Sequence, residues 1–254
     1  MWYVYGRRIC LYYTDTIQTH PGVGSLKHVP SIAAMVANID PHFAQWPASL
    51  RENPRPRILE SDTTTIKQYK KSIMEKITNL DDMLKERLDR FRHFRNNLPS
   101  RIIFYRDGLS ESQFEMCVKE ELPQLNSALA AMYTAQDKPL PEILVVCAVK
   151  RHHTRFYPGP ATDQQILYAK PVKNNQAPPP RIHPVPGATI FQGVTNGKWQ
   201  DFFLFSQVPL LGTTRPTHYV VLHSTLRTNT TILEIAKAVS ITIHYVAHFE
   251  ANLG

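Results

Sequence analysis

The sequence predicts an α/β fold, a mixed sheet flanked by helices, and three features predict it. Ile102-Ile103-Phe104-Tyr105 and Ile143-Leu144-Val145-Val146-Cys147-Ala148-Val149 are short apolar runs with the composition of strands covered on both faces. Each run stops at charge, Arg106-Asp107-Gly108 in the first case and Lys150-Arg151-His152-His153 in the second. Before and between them apolar residues recur at steps of three and four, the helical period, so each strand is reached through a crossover and neighbouring strands run parallel.

Taken in order, Ile9 to Tyr13 and Ile32 to Ile39 read as two strands joined by a long loop through His20-Pro21-Gly22-Val23-Gly24-Ser25. Residues 40 to 64 hold scattered prolines and no period, and read as irregular. Ile66, Tyr69, Ile73, Ile77, Leu80, Leu84, Leu88 and Phe91 then mark one stripe of a long amphipathic helix. After the first buried strand, Ser110 with Gln113 three residues on is a capping-box pattern. It opens a helix with Phe114, Cys117, Val118 and Leu122 on one stripe, running on to Tyr133. Six prolines between residues 171 and 187 exclude a helix or central strand there and predict a surface loop. Phe202 to Phe205 and Tyr219 to Leu222 read as strands, and Thr230 to Ala238 as a short helix. Neither flank of the proline-rich loop looks complete alone, so residues 1–254 read as one domain.

Bulk properties narrow the function. No run of eighteen apolar residues exists and the N-terminus lacks the layout of a signal peptide, which predicts a cytoplasmic or nuclear protein without a membrane partner. Cys10, Cys117 and Cys147 are odd in number and lie in apolar stretches, which predicts reduced core thiols. The net charge of +8 favours a polyanionic partner such as nucleic acid. Eleven Lys or Arg against six Asp or Glu between Thr65 and Asp107 concentrate much of that excess, which a solvated helix face would also produce.

In an open α/β sheet ligands gather outside the carboxyl ends of strands, which is where Asp107 stands. Taken alone, the same residue also fits a plain turn before Gly108. Lys150, Arg151 and Arg155 follow the second buried strand, and Arg215 precedes Pro216, so both groups can present donors to backbone phosphates. The pair His152-His153 has no partner at zinc spacing, so zinc is not predicted.

Five phrases now point together: THPGVGS at 19–25, PSIAAMVANID at 30–40, RIIFYRDGLSESQF at 101–114, VVCAVKRHHTRFYP at 145–158 and GTTRPTHYVVL at 212–222. Together they resemble the PIWI domain of eukaryotic Argonaute proteins, piecewise from about residue 10 to residue 250. The resemblance implies an RNase H-like fold that holds a guide RNA paired with its target RNA in gene silencing, and that in some members cuts the target. It assigns Lys150, Arg151, Arg155 and Arg215 to the guide-strand channel and allows for silencing-complex proteins as partners. For cleavage it implies Mg²⁺-dependent endoribonuclease chemistry, in which carboxylates gather two ions about 3.5–4 Å apart.

Residue by residue, Asp107 matches the family carboxylate after the fourth strand, and Glu75 in MEKITNLDDMLKERL falls on the family's inserted glutamate. A plain reading makes Glu75 an exposed carboxylate on a charged helix. His248 in Tyr245-Val246-Ala247-His248 resembles the final metal-site histidine, and otherwise reads as a core histidine. Asp15 stands for the first aspartate, but two more residues separate it from His20-Pro21 than in the family's Asp-Val-Thr-His-Pro. The expectation is therefore a displaced ligand, since each residue can span about 3.3 Å. Asp107, Asp15 and His248 form the expected metal set. The domains that precede this one in complete Argonautes have no counterpart here, and Glu250 stands near a family phosphate site. An isolated PIWI domain is one expectation; a degenerate copy that acts through protein contacts, or has no function, is the alternative.

Overall fold

The computed structural model describes residues 9–17 (backbone only), 30–41, 44–54, 59, 61–67, 75–156, 184, 187–194, 197–206, 214–226 and 235. The chain divides into two compact units, residues 1–148 with 220–229, and residues 149–219 with 230–254. The proline-rich segment 171–187, apart from Pro184 and Gly187, and the expected helix at 230–238, apart from Ile235, lie outside the described residues.

The first unit is built on a mixed sheet in the order β3 (Ala48–Asn53), β2 (Ser31–Ala37), β1 (Ile9–Ile17), β4 (Arg101–Asp107), β5 (Glu142–Val149), β8 (Thr217–Ser224). Strand β1 (Ile9–Ile17) pairs antiparallel with β2 (Ser31–Ala37) and parallel with β4 (Arg101–Asp107), which pairs parallel with β5 (Glu142–Val149). The hairpin and both crossovers expected from the sequence are therefore present. β4 and β5 are buried on both faces, Ile102 through Arg106 and Ile143 through Ala148. Thr225 closes the start of β5, its N–H on the Ile143 carbonyl at 2.9 Å and its Oγ1 accepting the Ile143 N–H at 2.8 Å.

Two expectations need correction. Residues 40–64 are not irregular throughout, because β3 (Ala48–Asn53) pairs antiparallel with β2, from Ser31 opposite Asn53 to Val36 opposite Ala48. Its inward residues Ser49 and Asn53 are buried and polar, while the outward Leu50 is 58% exposed. The strand thus inverts the apolar alternation by which a strand is recognised. The long helix from Ile66 to Phe91 is also interrupted. Residues 64–67 are helical, but residues 75–79 are not, and α1 begins at Leu80 and ends at Arg95. Asp81 and Asp82 in its first turn and Arg92, His93 and Arg95 in its last oppose the helix dipole favourably. Asn96, at φ 51°, ends it in the left-handed conformation.

The helical stretch after β4 starts as expected, with the Ser110 N–H and Oγ both donating to Gln113 Oε1 at 2.9 Å. A 3₁₀ turn (Glu111–Gln113) and a helical turn (Phe114–Met116) lead into a π-helical turn (Cys117–Glu121), then α2 (Leu122–Thr134). The π turn holds one more residue per turn than an α-helix would, with the Leu122 N–H on the Cys117 carbonyl. It turns Glu121, an acid, into the core, where it is 0% exposed.

In the second unit β6 (Thr189–Ile190) pairs antiparallel with β7 (Gln200–Leu204), next to the first residues of β8 (Thr217–Ser224). Phe202 stacks on Tyr219 at 5.3 Å, and Phe203 on His218 at 4.3 Å.

Candidate functional site

Asp107 closes β4 at the carboxyl end of the sheet. Gly108, at φ 80°, turns the chain sharply there, and its N–H donates to Asp107 Oδ1 at 2.8 Å, which fixes the carboxylate against its own turn. The parallel register pairs Thr14 with Arg106, so the next residue on each strand, Asp15 on β1 and Asp107 on β4, shares a row at the end of the ladder. Asp15, Thr16 and Ile17 continue β1 in register with Ala34, Ala33 and Ile32, so the Asp15 backbone is regular strand. Residues 18–20, over which the count departs from the family spacing, lie outside the described residues.

Glu75 lies in a turn and not on a helix, which removes its reading as an exposed helix carboxylate. The turn is held by side chains of four other elements. Arg106 Nη2 donates to the Glu75 carbonyl at 2.5 Å, and Asn53 Nδ2 to the Lys76 carbonyl at 2.8 Å. The Ile77 N–H reaches Glu121 Oε1 at 2.9 Å, and the Thr78 N–H reaches Asn53 Oδ1 at 3.0 Å. Gln124 accepts the Leu80 N–H at 3.1 Å and donates to the Ile77 carbonyl at 2.9 Å. Buried backbone groups must be paired, and here the partners come from outside the segment, so no helix is needed to satisfy them.

Beneath this turn lies an ion pair whose side chains are 0% and 1% exposed. Arg106 Nε and Nη2 meet Glu121 Oε2 and Oε1 at 2.9 and 3.1 Å, and Cys117 Sγ donates to Oε2 at 3.3 Å. Burial opposes the Arg106 charge most, but the Glu121 charge and hydrogen bonds outweigh it and raise the guanidinium pKa above its ordinary value. Burial pushes the Cys147 thiol up to about 12, and burial followed by the Glu121 charge pushes the Cys117 thiol up as well. Both are inert protonated core thiols, as the sequence predicts.

The basic residues belong to the second unit. Lys150, Arg151 and Arg215 are exposed. Arg155 turns back on its own loop, Nη1 donating to the Thr154 carbonyl at 2.7 Å and the His152 carbonyl at 3.3 Å. His152 Nε2 lies 2.8 Å from the Pro216 carbonyl, so the segment carrying Arg151 is tied to the one carrying Arg215. A carbonyl only accepts, so Nε2 carries the proton and Nδ1 the lone pair. That Nδ1 is buried without a partner, and the ring sits edge-on to Phe203 and His218. His218 in turn meets the buried Asp201 at 2.7 Å.

This arrangement predicts a pH dependence. Burial holds the His152 pKa below the ordinary histidine value; the Pro216 carbonyl opposes, and the charges of His218, Arg155 and His153 add to the lowering. Burial lowers that of His223 too. The unfolded chain binds these protons near pH 6.5, before the folded chain does. Their contribution to stability is therefore complete above that pH and is lost as pH falls through the folded pKa values. The melting temperature should drop from pH 7.5 to pH 5, and less so in His152→Gln. Identical pH slopes for the two proteins would remove His152 from the account.

Sequence reasoning missed Glu121, Asn53, Gln124 and the Asp201–His218 pair. Only Glu121 left a signal, since it follows Phe114 and Cys117 at steps of three and four on an otherwise apolar stripe. His248 lies outside the described residues. Among the described residues no group of three or more His, Cys, Asp or Glu side chains converges as a metal cluster. The oxygen donors are of the type Mg²⁺ takes, two aspartates whose backbones follow the last pair of the β1–β4 ladder, so the donor chemistry fits that ion.

The model of the Piwi domain family matches residues 14–249. Protein argonaute 2 of Oryza sativa subsp. japonica is 34% identical over 200 residues, covering 79% of this chain and 16% of the relative. Protein argonaute of Schizosaccharomyces pombe is 32% identical over 208 residues, 82% of this chain and 21% of the relative. This chain thus spans about a fifth or less of the length of these relatives. Among solved structures, the C-terminal lobe of a budding yeast Argonaute matches at TM-score 0.65 and 25% identity, covering 89% of this chain and 40% of that one. Kluyveromyces polysporus Argonaute with a guide RNA matches at TM-score 0.64 and 26% identity, covering 89% and 23%. The RNase H-like fold expected from the sequence is the fold of these lobes.

Proposed function

The chain belongs to the Piwi domain family, and on that premise we propose that it grips a guide RNA paired with a target RNA in RNA silencing. The observation that carries this reading is the tie between His152 and the Pro216 carbonyl, which holds the two basic segments together with Lys150, Arg151 and Arg215 exposed. A-form duplex is bound through phosphates and shape, which requires cations at fixed separations and no reading of bases. The Kluyveromyces polysporus relative was solved with a guide RNA, which agrees with the same partner here.

Arg151→Glu and Arg215→Glu should each weaken RNA binding about equally for unrelated sequences. Each should also make the dependence of log affinity on log salt shallower by about one unit per lost phosphate contact. Fluorescence anisotropy across a salt series reads both effects. Affinity indifferent to salt, or untouched by either reversal, would overturn the reading.

A second reading, cleavage of the target strand, is favoured by the shared row of Asp15 and Asp107. In it Asp107, Asp15 and His248 would hold Mg²⁺, which when bound makes water a stronger nucleophile and stabilises the leaving oxygen. The chain's own part is to aim the carboxylates and hold them near one another. Gly108 N–H aims Asp107, and the clasped turn presents Glu75.

A further inference from the structure

Three acceptors meet one side chain in the first unit. The Arg106 guanidinium donates through Nη2 to the Glu75 carbonyl and through Nη1 to the Asp107 carbonyl, while Nε and Nη2 grip the Glu121 carboxylate. A single planar group thus touches the backbone of both Glu75 and Asp107, residues 32 positions apart in the chain. A guanidinium presents its five N–H donors in a fixed fork, so the separation of the acceptors it serves is fixed as well.

The pair is not explained by stability. Two well-packed apolar residues of similar volume in place of a buried ion pair are often neutral or stabilising, because desolvation offsets the attraction between the charges. What such residues could not do is hold two carbonyl oxygens from separate segments. The rest of the clasp acts in the same direction. Asn53, Glu121 and Gln124 bind the peptide from Lys76 to Leu80, so the turn has no slack through which Glu75 could drift.

We infer that Arg106, locked by Glu121, is a positioning residue that sets the Glu75 backbone against that of Asp107. Its placement of Glu75 stands on the geometry alone; its consequence for catalysis rests on the cleavage reading above. Arg106 acts through these two residues and contacts no reacting atom.

Arg106→Lys keeps a cation opposite Glu121 and removes the fork. In the full chain, amide hydrogen exchange over residues 75–79 should accelerate at least about tenfold while α1 and β4 keep their protection. With Mg²⁺ and a guide-paired target RNA, kcat should fall about 10²-fold, the effect of a misplacement near 1 Å, with KM within about threefold. A defect of stability alone would spread exchange over the whole unit and would not separate kcat from KM. If Arg106→Lys does not fold, Arg106→Met/Glu121→Leu keeps the site packed and is read by the same two measurements. Unchanged exchange over residues 75–79 overturns the inference, as does unchanged kcat in a chain that cleaves. If the parent chain cuts no RNA the cleavage reading fails, and exchange alone decides the placement of Glu75.

Discussion

Glu121→Leu should cost the folded chain roughly 3–5 kcal/mol, among the largest losses a single substitution here can produce. The cause is the charge it strands. Arg106 is fully buried, its guanidinium pKa lies above the ordinary value, and Glu121 is its carboxylate partner at 2.9 Å. The Ile77 N–H and the Cys117 thiol lose an acceptor at the same time. The companion variant Arg106→Met/Glu121→Leu should recover most of the loss, because the stranded charge goes with its partner. Denaturant midpoints of the three proteins check both statements. A double variant no more stable than Glu121→Leu would show that packing around the pair, and not the charge, sets the cost.

On the cleavage reading, Asp107→Ala should lower target cleavage by on the order of 10³-fold or more, since groups that act as one unit fail together. RNA affinity should stay within a few-fold of the parent, because the exposed cations Lys150, Arg151 and Arg215 belong to other segments. The fold should tolerate the change. The bond that Asp107 Oδ1 accepts from the Gly108 N–H is worth about 1 kcal/mol. Single-turnover cleavage beside equilibrium binding separates the effects, and cutting that survives in Asp107→Ala would relocate the chemistry.

The sheet's parallel centre was legible because its strands carry their own signal. Ile102 to Tyr105 and Ile143 to Val149 are apolar throughout, and their length and β-branched content suit a doubly covered strand. β3 was not legible, since its buried face carries the polar Ser49 and Asn53, the second of which serves hydrogen bonds to the neighbouring turn. The break at residues 75–79 was hidden for a related reason. Ile77 keeps the apolar step of the helical stripe and is buried, yet its N–H and carbonyl are claimed by Glu121 and Gln124, 44 and 47 residues away. Periodicity reports which face is buried, and it is silent on who satisfies the backbone. In the same way the residue count between Asp15 and His20 is silent on the backbone, which at Thr16 and Ile17 continues as strand paired with β2.

The π turn at Cys117–Glu121 sets the phase of the helix that follows it. A wide turn of this kind is an α-helix with one residue inserted, and one residue corresponds to about 100° of rotation about the helix axis. The width absorbs the extra residue, so the helix leaves the turn in the phase it would have with one residue fewer. Closed into regular α form over the same residues, it would leave rotated by about that angle. Glu121 and Gln124 would then turn out of reach of Arg106, Ile77 and Leu80 together. The hold on residues 75–79 thus depends on backbone shape in a different element as much as on the side chains that make the bonds.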